Sequence, residues 1–285
     1  MGQQLKASVW TFTEVTGIDA EQQTLEIAGN KTVRYRSLVL AWGAEVIRPP
    51  MRGNALDRVY TVNDLLDYND FRTAMQKVDA KKVFIIGAGL IGSEFANDLL
   101  NGGFDVEAVD PLPNNLATLL PTEAGQAVQS ALEAKGATFH FGTVAEQIDY
   151  TEDGKRIVVT LANGSKITAD MVVSAVGVRP RIALAKESGI AVNRGIIANR
   201  LLETSVKNIY TLGDCAEVEG HVLYYVAPLM ACARALGKPL VWSPRGALQA
   251  TQDWPDAPRR KQKQQFEKLA QLLRARDVVL HVTSD

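Results

Sequence analysis

The chain has 285 residues, of which 46% are hydrophobic, and its 31 basic and 32 acidic residues give a formal net charge of -1. That length suffices for two small domains or one large one, and the balanced charge excludes a chain-wide basic surface for nucleic acid. The two cysteines form neither a CxxC pair nor a metal-ligand spacing, and no apolar run resembles a signal core or spans a bilayer. We therefore expect a cytoplasmic protein without a membrane or nucleic-acid partner.

The first part of the chain alternates short extended stretches with polar turns. The sequences ASVWTFTEVTGID, TLEIAG and SLVLAWG are typical of strands. The stretch TVNDLLDYNDFRTAMQKV places apolar residues at helical spacing behind an N-cap sequence, so a helix is predicted there.

From residue 81 the pattern changes to strand, glycine turn, helix and strand, in the segments KKVFII, GAGLIG, SEFANDLLNGG and FDVEAVDP. This order predicts a βαβ unit. A second helix is predicted in EAGQAVQSALEAKG, and strands follow from ATFHFG to VVSAVG. After residue 237 the chain carries prolines, tryptophans and a basic run with no strand–turn pattern.

The glycine turn is the strongest chemical signal in the sequence. Gly87 permits a tight turn after an apolar strand, Gly89 lets the backbone approach a diphosphate, and Gly92 allows close helix–strand packing. Leu90 and Ile91 lie between these glycines, at the start of the helix whose N–H groups would face the phosphates. A plain βαβ unit with a glycine-rich turn is the alternative, but the full strand–turn–helix–strand context favours a dinucleotide site.

Asp110 ends the next predicted strand, at the distance where an acid binds the adenosine ribose hydroxyls. A basic residue beside it would favour a 2′-phosphate, and none adjoins Asp110. The sequence therefore predicts NADH rather than NADPH as the ligand, and Asp110→Arg should shift the preference toward NADPH.

Three segments, LVLAWGAEVIRPP, VVSAVGVRP and NIYTLGDCAEV, surround the glycine turn in that order. Together with it they resemble the flavoprotein pyridine nucleotide-disulfide oxidoreductase superfamily over about residues 4–237, and members of that superfamily bind FAD and NAD(P)H in two related domains. The resemblance implies an α/β fold with a Rossmann-like NAD-binding domain inserted in an incomplete FAD-binding domain. The expected parts are a first FAD-binding piece at 1–69, the NAD-binding domain at 70–199, a second FAD-binding piece at 200–239, and a basic tail of unassigned structure at 240–285.

The same resemblance implies cofactor contacts. Gly213 and Asp214 match the flavin-ribityl motif, in which the aspartate accepts hydrogen bonds from the ribityl chain. Val226 matches a position that meets the flavin through its backbone, and Val15 matches a backbone contact to the FAD adenine. A turn aspartate and two core valines are the alternative interpretations.

Two further positions follow from the resemblance. Glu94 matches an acid near the flavin–nicotinamide junction, and Gly177 matches a glycine beside the bound nicotinamide nucleotide. Glu94 could instead be a solvated helix acid. The sequence predicts no metal site and no side chain that must act as a catalytic acid or base.

The segments are most similar to the branch of the superfamily that passes electrons from NADH through FAD to rubredoxin, an acidic iron electron-transfer protein. A related ferredoxin or disulfide reductase is one alternative. The other is a truncated, inactive NAD-binding form that lacks FAD, because the family's first glycine turn has no counterpart before residue 81. We expect FAD binding by this chain to be weak or absent for that reason. The tail could be a docking helix for an acidic partner, but a frayed, poorly packed end is favoured.

Overall fold

A computed structural model describes residues 7–222, 224, 231–234 and 236, together with the backbone of 278–280. The chain divides into two compact units: the first unit comprises Met1–Glu45 and Arg179–Asp285, and the second unit is Val46–Val178. Val226 and the predicted tail lie outside the described residues, except for 278–280.

The described residues contain both strands and helices. In chain order they are β1 (Val15–Asp19), β2 (Thr24–Ile27), β3 (Lys31–Arg34), β4 (Ser37–Leu40), β5 (Ala44–Val46), β6 (Val59–Tyr60), α1 (Leu65–Lys77), β7 (Lys82–Ile86), α2 (Leu90–Asn101), β8 (Asp105–Asp110), α3 (Thr122–Glu133), β9 (Thr138–Phe141), β10 (Ala145–Tyr150), β11 (Ile157–Leu161), β12 (Lys166–Ala169), β13 (Met171–Ser174), β14 (Val178–Pro180), α4 (Ala183–Glu187), β15 (Ile196–Ala198), β16 (Ile209–Thr211), β17 (Ala216–Val218) and β18 (Val278–Leu280).

A five-stranded sheet in the order β6-β13-β7-β8-β9 organises the second unit. All four strand pairs in it are parallel. Both faces are buried: Val83 and Ile85 of β7 pack with the helices α1, α2 and α3, and Phe84 and Ile86 pack with the antiparallel sheet β10-β11-β12. Burial on both sides explains why β7 reads as an unbroken apolar run. The predicted βαβ unit is confirmed as β7, α2 and β8.

Helix α1 forms where the spacing predicts it. The carboxylate of Asp64 caps its N-terminus, accepting hydrogen bonds from the N–H groups of Leu66 at 2.7 Å and Asp67 at 2.9 Å. Phe71 is buried in the core of the second unit, but Leu65 and Leu66 are 84% and 59% exposed. These two leucines lie in the first turn and are rotated away from the face that carries Phe71.

The compact units divide the chain at residues 45/46 and 178/179, whereas the predicted NAD-binding domain spans 70–199. Strand β6 (Val59–Tyr60) pairs with β13, so the sheet of the second unit includes residues that precede the predicted domain 70–199. At the other end, Ile196 packs with Leu25 in the core of the first unit. Apolar contacts between residues that are distant in the sequence set the limits of the units, and local sequence patterns do not predict such contacts.

The first unit contains three small sheets in its described residues: antiparallel β1-β2-β3, parallel β16-β4-β18 and parallel β15-β17. The first predicted strand is shorter than expected, because β1 begins only at Val15. Before it, Phe12 has a left-handed φ of 52° and is 96% exposed. Within the predicted tail, the backbone of Val278–Leu280 forms β18, which pairs in parallel with β4.

Asp170 joins three parts of the second unit at the start of β13. Its carboxylate accepts hydrogen bonds from the N–H groups of Lys81 and Lys82, both at 2.8 Å, and from Arg156 Nε at 2.7 Å. Burial opposes ionisation, but these three donors outweigh it and hold the pKa of Asp170 below its ordinary value.

We therefore expect Asp170→Ala to lower the free energy of unfolding by about 2–4 kcal/mol at pH 7, since it removes the charged acceptor of three hydrogen bonds. The depressed pKa means that this stabilisation exists above the unfolded pKa of about 4 and disappears as the pH falls through the folded value. Urea unfolding at pH 7 and pH 3 measures both effects. Asp105→Ala, at an exposed position on the first residue of β8, is the control and should change little; an equal loss in both variants would contradict the assignment.

Candidate functional site

The turn between β7 and α2 needs glycine at two positions for steric reasons. Gly87 has a φ of 102°, and a Cβ atom there would lie 2.6 Å from the carbonyl oxygen of Ala175. A Cβ atom on Gly92 would lie 1.9 Å from the carbonyl oxygen of Gly87. The two glycines therefore allow the helix to start directly against the strand, as the sequence predicts.

Gly89 differs from these two glycines, because no packing contact within the chain requires a glycine at this position. It is the N-cap residue of α2, and a Cβ atom there would meet nothing within 4 Å. No side chain caps the helix, and its first turn contains no acid. The N-terminal N–H groups and the positive end of the helix dipole are thus left for an external anion. Leu90 and Ile91 are partly exposed beside them.

Asp110 ends β8 next to this turn and is directly bonded to it. One carboxylate oxygen accepts a hydrogen bond from the N–H of Ala88 at 2.7 Å, and the other accepts one from the N–H of Leu112 at 2.8 Å. Each oxygen keeps a further lone pair, so the carboxylate can still accept hydrogen bonds from a ligand. Residues 111–121 contain no lysine or arginine, so no cation in this segment could pair with a 2′-phosphate.

Beneath the turn lies a buried polar cluster that sequence reasoning missed. Asn115 donates to the hydroxyl of Ser93 at 2.9 Å, and that hydroxyl donates to the carbonyl of Ala88 at 3.2 Å. Helix α3 approaches closely, since a Cβ atom on Gly125 would lie 2.1 Å from Nδ2 of Asn114. A glycine inside a helix costs about 1 kcal/mol relative to alanine, so Gly125 was the available signal of a close approach.

Two of the positions implied by the resemblance lie in the same unit. Glu94 is exposed in the second turn of α2. Gly177 has a φ of 114°, and its carbonyl accepts a hydrogen bond from the N–H of Ile47 at 3.0 Å. Two residues before it, Ala175 donates its N–H to the carbonyl of Ile86, the last residue of β7, at 2.7 Å. Ala175 lies beside the glycine turn, since a Cβ atom on Gly87 would lie 2.6 Å from its carbonyl oxygen, and Glu94 lies on the helix that this turn opens.

The remaining implied positions belong to the first unit. Gly213, with a φ of 77°, begins a single 3-10 turn that contains Asp214. Burial raises the pKa of the Asp214 carboxyl, and no described donor offsets it. Val15 pairs with Ile27 through its backbone and packs its side chain on the core of this unit. Asp214 is thus a half-buried carboxylate to which no described residue donates a hydrogen bond.

The raised pKa of Asp214 predicts a gain in stability on its replacement. A carboxyl whose pKa is higher in the folded chain than in the unfolded chain destabilises the fold at pH values above its folded pKa. There it must ionise in a poorly solvated position. We expect Asp214→Asn to raise the melting temperature of the ligand-free chain at pH 7 and to leave it nearly unchanged at pH 3, where Asp214 is protonated in both states. Thermal unfolding monitored by circular dichroism at the two pH values measures this, and a lower melting temperature at pH 7 would show that Asp214 makes a stabilising contact.

Other reactive groups are not arranged for chemistry in the described part of the chain. Cys215 is buried and its thiol pKa is raised by that burial, so it is a packed residue and not a reactive thiol. The described residues bring no three His, Cys, Asp or Glu side chains together for a metal ion. None of the helices in this part of the chain combines the length and apolarity needed to cross a membrane.

A parallel sheet, a glycine turn that opens a helix and a carboxylate on the next strand define an α/β protein of the Rossmann type. A family model described as pyridine nucleotide-disulphide oxidoreductase matches residues 3–235. The chain belongs to the pyridine nucleotide-disulphide oxidoreductase family, as the sequence motifs predicted.

Two relatives within this family are similar to most of the chain. The chain is 48% identical over 240 residues to a rubredoxin-NAD(+) reductase of Alcanivorax borkumensis and 44% identical over 243 residues to one of Acinetobacter baylyi. Each match covers 84% of this chain and 62% of the relative, so the chain spans less than two thirds of the length of either relative.

Solved structures give the same fold. A ferredoxin reductase from Rhodopseudomonas palustris matches with a TM-score of 0.71 and 30% identity, over 76% of this chain and 53% of its own. A NAD-dependent persulfide reductase from A. fulgidus matches with a TM-score of 0.69 and 29% identity, over 74% of this chain and 40% of its own. The α/β fold with a Rossmann-like parallel sheet is therefore confirmed.

Proposed function

We propose that this chain is an NADH-dependent flavoprotein reductase that passes electrons from NADH through FAD to rubredoxin. The observation that carries the proposal is the open, uncapped start of α2 at Gly89, with Asp110 bonded to the same turn. This combination suits a ligand that has both a diphosphate and a ribose with free hydroxyls.

In this proposal the second unit holds NADH. The N–H groups at the start of α2 bind the diphosphate, and the helix dipole offsets its charge. Asp110 accepts hydrogen bonds from the adenosine ribose and repels a 2′-phosphate, which selects NADH over NADPH. Glu94 and Gly177 lie toward the nicotinamide end, by resemblance to the family.

The first unit would hold the flavin. Asp214 suits the ribityl hydroxyls because its half-buried carboxylate has no described donor, and Gly213 supplies the left-handed backbone before it. Val15 and Val226 would contribute backbone contacts, by the same resemblance. Bound FAD would supply the redox chemistry, accepting a hydride from NADH and releasing single electrons to an iron protein.

Rubredoxin is proposed as the acceptor because both curated relatives named above are rubredoxin-NAD(+) reductases. A ferredoxin acceptor is the second candidate, favoured by the structural match to a ferredoxin reductase. A cytoplasmic location belongs to the same proposal.

FAD affinity is the quantity that separates a reductase from a module that binds NADH alone. Among its described residues, the first unit contains no second glycine turn that opens an α-helix. A second diphosphate would thus find few N–H donors there, and we expect stoichiometric FAD to remain mostly free.

The test is anaerobic reduction of FAD by NADH, with FAD in large excess over the protein. The loss of flavin absorbance measures the reduction. At an NADH concentration near the wild-type Kd, we expect bleaching with the wild-type chain, slower bleaching at equal FAD with Asp214→Ala, and bleaching close to background with Gly89→Ala. Addition of oxidised rubredoxin or ferredoxin then identifies the acceptor by its own spectrum. NADH binding without bleaching at any FAD concentration would refute the reductase and leave the NADH-binding module.

A further inference from the structure

The backbone N–H and the backbone C=O of Ala88, in the middle of the glycine turn, are both hydrogen-bonded by other residues of the second unit. Asp110 accepts from its N–H at 2.7 Å. Its carbonyl accepts from the N–H of Leu116 at 2.9 Å and from the hydroxyl of Ser93 at 3.2 Å. Two of these three partners, Asp110 and Leu116, lie more than twenty positions later in the chain, so residues distant in sequence help to set the conformation of the turn.

Asn115 completes this arrangement from inside the protein. It is 0% exposed, and its Nδ2 donates to the Ser93 hydroxyl at 2.9 Å, while its Oδ1 has no partner among the described residues. A hydroxyl has one hydrogen to donate. Because Asn115 donates to the Ser93 oxygen, the hydroxyl hydrogen is directed to the carbonyl of Ala88.

The neighbouring backbone shows that this arrangement is held under constraint. Leu116 has a φ of 56°, a conformation that costs energy for a residue with a side chain and persists only where the surroundings enforce it. The enforcing contacts are close: Asn114 is buried and donates to the carbonyl of Asn115 at 2.8 Å. A strained backbone at such a site points to a role beyond filling space.

We propose that Asn115 is a positioning residue for nucleotide binding, which acts through Ser93 to orient the N–H of Gly89 toward the diphosphate. The reason is peptide geometry: the Ala88–Gly89 peptide is planar and trans, so its C=O and N–H groups point in opposite directions. Drawing the carbonyl of Ala88 beneath the turn directs the N–H of Gly89 outward, to the open start of α2. The inference rests on the proposed NADH site.

The same segment thus links the two ends of the ligand's adenosine diphosphate. Asp110 would contact the ribose and also bonds the N–H of Ala88, and Asn115 orients the donor for the diphosphate. Loss of the Asn115 contact should therefore weaken ligands that contain a diphosphate and spare those that contain only the nucleoside.

The experiment compares Asn115→Leu and Ser93→Ala with the wild-type chain, using NADH, ADP-ribose and adenosine as probes. The control is Thr143→Val, which also removes a buried polar atom in the second unit, one without a hydrogen-bond partner. We expect each test variant to weaken NADH and ADP-ribose about tenfold, or about 1.4 kcal/mol, and to change adenosine by less than about twofold. The double variant should lose little more than either single one, because both act on the same carbonyl.

The probes distinguish positioning from a general structural role. Equal weakening of adenosine and ADP-ribose, or unchanged binding of both in a folded variant, would overturn the proposal. If Asn115→Leu does not fold, Ser93→Ala alone decides, since it removes only a hydroxyl. A wild-type chain that binds neither NADH nor ADP-ribose would refute the NADH site itself, whereas wild-type binding with unaffected variants refutes only the role of Asn115.

Discussion

Replacing Gly89 with alanine is expected to weaken NADH binding about a hundredfold while leaving the chain as stable as the wild type. Alanine can adopt the backbone of Gly89, with its φ of -72°, and the added methyl meets no protein atom within 4 Å. The methyl would instead occupy the space where a diphosphate must approach the helix. Losing one or two charge-assisted hydrogen bonds, at about 1.5–3 kcal/mol each, corresponds to about two powers of ten in affinity.

Fluorescence titration with NADH measures the change in affinity, and urea unfolding measures the free energy of unfolding. The matched control is Gly102→Ala at the other end of α2, where φ is -79° and the nearest atoms to an added Cβ are 3.3 Å away. That variant should bind NADH as the wild type does. NADH affinity in Gly89→Ala equal to that of Gly102→Ala would show that the ligand does not approach this turn.

The second large effect is a loss of folding stability, which we expect for Gly92→Ala. The added Cβ would lie 1.9 Å from the carbonyl oxygen of Gly87, a backbone atom that cannot turn aside. Helix α2 must then move away from β7, which opens the packing of Ala96 and Leu99 against the sheet. We expect the free energy of unfolding to fall by about 3 kcal/mol.

Urea unfolding of Gly92→Ala, beside Gly102→Ala, isolates this effect from the general cost of a methyl on α2. The loss should appear in the ligand-free chain, in contrast to Gly89→Ala. A Gly92→Ala chain as stable as the control would mean that the helix does not start against the strand as described.

Local patterns in the sequence predicted the parts of the fold that depend on neighbouring residues. The spacing of Gly87, Gly89 and Gly92 predicted the turn because strand, turn and helix are contiguous there. The N-cap sequence predicted α1, and the apolar run predicted β7. The roles of the glycines differ, however: two are needed for packing and one leaves open space, and only the three-dimensional structure shows this difference.

Contacts between distant residues could not be predicted in this way. Asp170 bonds the N–H of Lys81, which is 89 positions earlier, and Asn115 bonds Ser93, which is 22 positions earlier. Each looks like an ordinary loop or strand polar residue in the sequence. The pairing of β6 with β13 in the second unit also joins residues that are distant in the sequence.

The most direct test of the account is a calorimetric titration of the 285-residue chain with NADH and, separately, with NADPH. We expect saturable binding of one NADH per chain, at least about tenfold tighter than NADPH, because Asp110 would accept hydrogen bonds from the ribose hydroxyls and repel a 2′-phosphate. Absence of saturable NADH binding, or equal affinity for the two nucleotides, would contradict the assignment of the turn at Gly87–Gly92 and of Asp110.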